Sequence, residues 1–130
     1  MNYLDYFPQP ADPVESCILG AGAFGRSDVA QAARTPGLRV RAAVDIDAQT
    51  AASCFRAVGI PEHAIEICDT PQSADDAWRD GQYIAASDFS VVAGLPIDVV
   101  VEATGNPEAG ARHCLRAIEA DCHVVLVSKE

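Results

Sequence analysis

An α/β fold with a doubly wound, mostly parallel sheet is what this sequence predicts, on three observations. Apolar, β-branched runs alternate with helix-forming segments along the 130 residues, as successive βαβ units require. A glycine-rich turn, Gly20-Ala21-Gly22-Ala23-Phe24-Gly25, follows the apolar run Cys17-Ile18-Leu19 and opens a helical segment. An acid, Asp45, closes the next apolar run twenty residues past Gly25, the separation expected of a dinucleotide-binding turn and its ribose acid. Together they predict a Rossmann-type sheet of five strands, order 3-2-1-4-5, with helices on both faces.

The elements follow in order. Residues 1–15 form a lead-in whose aromatics, Tyr3, Tyr6 and Phe7, stand among Pro8, Pro10 and Pro13, which exclude regular helix. The domain proper spans 16–130. Its first strand is Ser16 to Leu19. The first helix runs from about Phe24 to Arg34 and stops at Thr35-Pro36-Gly37. Leu38 to Val44 is the second strand. Asp47 caps a helix over Ala48 to Val58, ended by Gly59, which leaves Asp45 for a ligand. Residues 60–70 are ambiguous: Ile65 and Ile67 alternate as in a strand, but the stretch is short enough for a loop. Pro71 starts a helix to about Asp80, with Trp78 as its packing anchor. Gln82 to Ala86 is the third strand, and Ser87-Asp88 cap a short turn through Ala93. Ile97 to Glu102 is the fourth, its Val99-Val100-Val101 run typical of a strand buried on both faces. Asn106 caps a helix that starts at Pro107 and runs to about Ala120. Cys122 to Val127 is the fifth strand.

The chemistry of the glycine turn is specific in its parts. Gly20 permits a tight turn, Gly22 lets backbone approach a pyrophosphate, and Gly25 lets the helix pack on its strand. The Ala23 and Phe24 amides at the helix N-terminus then face the anion, aided by the helix dipole. Glycine turns are common, and an ordinary β-to-α turn would also carry one; the joint occurrence of strand, turn, helix, strand and acid points to a dinucleotide. A carboxylate at Asp45 accepts from the ribose hydroxyls of NAD and repels the 2′-phosphate of NADP, so NAD is the expected cofactor and NADP the second choice. Ala103, Thr104 and Gly105 end the fourth strand. Ligands of open parallel sheets gather at such ends, where strand order reverses.

Charge and composition narrow the partners. A net charge of −10 repels phosphate backbones and anionic lipid, which argues against nucleic acid. No apolar run approaches the about 20 residues that span a membrane. The five cysteines form no C-x-x-C pair, and with three scattered histidines they suggest reduced thiols in a cytoplasmic protein and no metal site.

The turn at Gly20 to Gly25, the Val99 to Gly105 segment and Val125-Leu126-Val127-Ser128-Lys129 resemble the N-terminal domain of homoserine dehydrogenase-like oxidoreductases. The similarity extends to the branch with a C-terminal SAF domain, which includes deoxyxylulose-phosphate reductoisomerase-like enzymes. Gln31 to Gly37 and the insertion from Glu62 to Gly81 also look like that branch. The resemblance implies a nicotinamide-dependent oxidoreductase whose substrate is held by a further, missing domain. It also implies that Lys129 lies near nicotinamide and substrate. Homoserine dehydrogenases carry asparagine before that lysine; here Ser128 stands there. Two further expectations follow: the chain is a fragment inactive by itself, and an exposed fifth strand favours homo-oligomers. A non-catalytic nucleotide-sensing or interaction module on the same fold is the alternative function.

Overall fold

Six parallel strands form the single sheet of the computed structural model, which describes Tyr6, Pro8 and residues 11–128. The strands are β1 (Val14–Leu19), β2 (Leu38–Val44), β3 (Ile65–Cys68), β4 (Tyr83–Ala86), β5 (Val99–Glu102) and β6 (His123–Leu126). The helices are α1 (Ala23–Ala32), α2 (Ala48–Ala57), α3 (Pro71–Arg79), α4 (Phe89–Val92) and α5 (Pro107–Glu119). The sheet order is β3-β4-β2-β1-β5-β6. The five expected strands stand in the expected order. The correction is to their number: Ile65–Cys68 pairs with β4 as a sixth, outermost strand. A short 3-10 turn at Glu62–Ala64 delivers the chain to it. Its burial is not alternating, since Ile65 and Cys68 are covered while Glu66 and Ile67 are exposed.

Strand β1 begins at Val14, two residues before the expected start, and the register shifts between Ser16 and Cys17. The lead-in residues Tyr3 and Phe7 lie outside the described residues, and Tyr6 is exposed.

Alternating side chains of β1 feed two cores. Cys17 and Leu19 point into one, with Ala74 and Ala77 of α3, Phe89 and Val92 of α4 and Ala117 of α5. Ile18 points into the other, with Val29 and Ala32 of α1 and Ala51, Ala52 and Phe55 of α2. Helices therefore cover both faces, α1 and α2 on one, α3 to α5 on the other. The central residues Cys17, Ile18 and Leu19 have no exposed surface. That follows from their place: parallel strands covered on both faces must be apolar throughout.

Two polar links fasten the starts of the strands. Glu15 faces Arg39 across β1 and β2, and the two form an ion pair. Arg41, on β2, donates to the Trp78 carbonyl at 2.9 Å and the Gln82 carbonyl at 3.0 Å, with its guanidinium 4.0 Å from the Trp78 ring centroid. Trp78 is thus an anchor, half-buried and stacked on a cation. No helix among the described residues is long and apolar enough to cross a membrane.

Candidate functional site

The site grows from the point where the sheet reverses direction. The chain leaves β1 for β2 on one side and returns through β4 to β5 on the other, so the turns after β1 and β5 lie side by side. The Ala103 amide donates to the Leu19 carbonyl at 2.8 Å, and Gly20 crosses directly over this turn. A Cβ on Gly20 would stand 2.6 Å from the Ala103 carbonyl oxygen, and φ there is +97°. Both facts require glycine.

The other two glycines differ from it and from each other. At Gly25 a Cβ would come 2.0 Å from the Gly20 carbonyl oxygen and 3.2 Å from Ile18 Cγ1, so glycine sets how closely α1 approaches β1. At Gly22 a Cβ would meet nothing within 4 Å. The backbone there borders open space. Gly22 is also the N-cap of α1 and brings no side chain to its amides. Among the described residues the other α-helices are capped by Asp47, Thr70, Asp88 and Asn106. Ala23 and Phe24, in the first turn of α1, are exposed. N–H groups without a partner among the described residues, beside open space at the positive end of a helix, suit an anion.

Asp45 ends β2 beside this turn. Its Oδ2 accepts from the Ala21 amide at 2.8 Å, and its Oδ1 accepts from the Asp47 amide at 3.3 Å. Asp47 caps α2, accepting from the Gln49 amide at 3.0 Å. Asp47 is the cap of α2, as expected, and Asp45 is tied to the glycine turn. A carboxylate has about four acceptor positions, so two bonds leave room for ligand hydroxyls.

A cleft of about 370 Å³ opens over the strand ends, lined by Gly20, Asp45, Asp88, Thr104, Asn106 and His113, among others. The structure thus brings Gly20, Asp45 and Thr104 to one cavity. Ala103 and Gly105 flank Thr104 in the turn, and Gly105 has φ +70°. Lys129 lies outside the described residues.

Sequence reasoning missed two of the groups here. Glu102 ends β5 with none of its surface exposed. It accepts from the Thr104 amide at 2.9 Å, from the Thr104 hydroxyl, and from the Ser128 hydroxyl at 2.7 Å. Burial pushes the Glu102 pKa up, but the bonds from Ser128 and Thr104 outweigh it, and the carboxyl lies below its ordinary value. His113 sits one face of α5 along from Asn106 and Gly110, edge-on to Phe89 with centroids 6.1 Å apart. Burial lowers its pKa, opposed by the charge of Glu102. The spacing 106, 110, 113 marks one helical face and could have exposed His113 from sequence. Glu102 has one local partner, Thr104, but its other, Ser128, lies 26 residues onward and leaves no mark in the local sequence.

Fold and turn together define a Rossmann-like dinucleotide-binding architecture. The family model described as "Homoserine dehydrogenase, NAD binding domain" matches residues 20–130, and the chain belongs to that family. No curated protein matches the chain in a sequence comparison.

Proposed function

We propose that this chain is the cofactor-binding domain of an NAD(P)-dependent oxidoreductase, with NAD preferred over NADP. One observation carries the proposal: the Asp45 carboxylate is bonded to the Ala21 amide, inside the glycine turn, at 2.8 Å. A ribose acid and an anion-binding helix end are thereby held together as one unit.

Gly20, Gly22 and Gly25 shape the pyrophosphate cradle, and the Ala23 and Phe24 amides donate to it. Asp45 accepts from the adenosine ribose hydroxyls and repels a 2′-phosphate. Ala103, Thr104 and Gly105 border the nicotinamide ribose. Lys129 orients substrate or stabilises an oxyanion. The bound cofactor supplies hydride transfer, and the residues here supply position and charge. The substrate is a small carbonyl or alcohol compound held by a second domain outside this chain. The insertion that forms β3 and α3, together with Gln31 to Gly37, supports the SAF-bearing branch of the family. Five free thiols, four of them buried, support a cytoplasmic setting. The edge position of β6, where Val125 and Leu126 are exposed, supports self-association.

Titration of the chain with NADH and NADPH, followed by calorimetry, tests this reading. NADH is expected to bind more tightly. Preference for NADPH would overturn the role of Asp45, and binding of neither would overturn the cofactor role and leave a non-catalytic module.

A further inference from the structure

Glu102 is a charged side chain with no exposed surface, two residues before Thr104, which lines the cleft. Such a group is costly to bury unless its bonds are all made. Here they are made to two separate segments. The Thr104 amide and hydroxyl approach one oxygen, and the Ser128 hydroxyl approaches the other. The Ser128 hydroxyl in turn accepts from the Gly105 amide at 3.2 Å. The backbone repeats the connection, with the Val127 amide donating to the Glu102 carbonyl at 2.8 Å. Helix α5 makes room for the carboxylate. A Cβ on Gly110 would come 3.0 Å from Glu102 Oε2, so glycine at this position lets the helix lie over the charge.

The result is a closed circuit: Glu102, Thr104, Gly105, Ser128 and back to Glu102. It joins the ends of β5 and β6, the two strand ends on the side of the cleft away from Asp45. Thr104, a cleft residue, is fixed by it through both amide and hydroxyl. Among the described residues, hydroxyl and amide donors hold the carboxylate, so the geometry depends on those donors remaining in place.

We infer that Glu102 is a positioning residue for the nicotinamide half of the dinucleotide, presetting the Thr104–Gly105 turn by tying it to Ser128. The inference rests on the cofactor reading above. It assigns the two halves of the cleft different supports: the adenosine half is set by Asp45 and the Ala21 amide, the nicotinamide half by Glu102 and Ser128.

The test compares NADH with ADP, which lacks both the nicotinamide ring and its ribose, on the chain and on three variants. Ser128→Ala removes one donor at a half-exposed position and keeps the fold. Ser128→Thr keeps the hydroxyl. Glu102→Gln removes the charge. Loss of a bond to a charged group predicts about tenfold weaker NADH binding for Ser128→Ala and Glu102→Gln. ADP binding should change less than about twofold in both, and Ser128→Thr should match the parent. Amide hydrogen exchange at Thr104 and Gly105 should quicken in Ser128→Ala. Equal losses for both ligands, or unchanged NADH binding in Ser128→Ala, would overturn the positioning role while leaving the cofactor reading intact. Failure of the parent chain to bind either ligand would overturn both.

Discussion

The Gly25 α-carbon faces the Gly20 carbonyl oxygen so closely that an added Cβ would lie 2.0 Å from it. The first and last glycines of the turn thus constrain each other, and only the middle one faces open space. Gly25→Ala must move α1 away from β1, because the obstacle is backbone. A loss of about 3 kcal/mol in urea-denaturation stability is expected, the upper end for overpacking. Gly22→Ala meets nothing within 4 Å and should fold with near-parent stability. On the proposed cofactor reading its defect should appear in NADH binding instead, where the methyl group would occupy the pyrophosphate approach. Equal stability of the two variants would contradict this division.

On the proposed cofactor reading, Asp45 combines a structural bond with a role in cofactor choice. Asp45→Ala removes the acceptor of the Ala21 amide and the negative charge together. NADH affinity should fall about tenfold or more, from the loss of bonds to a charged group. NADPH affinity should fall less, since the repulsion goes too. Asp45→Asn keeps an acceptor for Ala21 and isolates the charge. The ratio of NADPH to NADH affinity, measured by calorimetry, should rise in both variants.

Arg41 is the stacked, two-carbonyl donor at the start of the sheet. Arg41→Met leaves the Trp78 and Gln82 carbonyls without their donor, with an expected cost of about 2 kcal/mol. Arg41→Lys should recover only part, because a single ammonium cannot both stack flat and reach two carbonyls in the same fork. Thermal and urea unfolding check both, and NADH binding should stay unchanged because Arg41 lies outside the cleft.

His113 gives the fold a pH dependence near neutrality. Burial holds its folded-state pKa below 6.5, the ordinary value. The unfolded chain therefore takes up the proton first as pH falls. Stability from the neutral imidazole is full above about pH 6.5 and is lost as pH drops through the lowered folded value. His113→Gln should flatten the stability profile between about pH 7.5 and 5.5, measured by urea unfolding at each pH. A variant with the parent's slope in that range would exclude His113 as the source.

Much of this fold was legible because parallel strands and caps leave local marks. The Val99-Val100-Val101 run, the Asp47, Asp88 and Asn106 caps and the glycine turn are each defined by neighbours within a few residues. Strand β3 was not, because four residues paired on one side only carry too little pattern to separate strand from loop. The site divides similarly. Asp45 lies at a distance from Gly25 that the βαβ unit fixes. Glu102 at the end of a valine run reads as a solvated carboxylate, and its burial depends on Gly110 and Ser128, which only the assembled sheet brings near.

The placement of β1 between β2 and β5 also has a consequence in time. The first strand made is the central one, and its second neighbour is the segment Val99–Glu102. The bond from the Glu15 amide to the Asp98 carboxylate spans 83 residues. On the ribosome, then, one flank of Cys17-Ile18-Leu19 stays unpaired until most of the chain has emerged. Long-range pairing of this kind slows folding and leaves an apolar strand exposed meanwhile. The strand that anchors the finished cleft is thus half-paired while the chain is made, an apolar edge open to wrong partners.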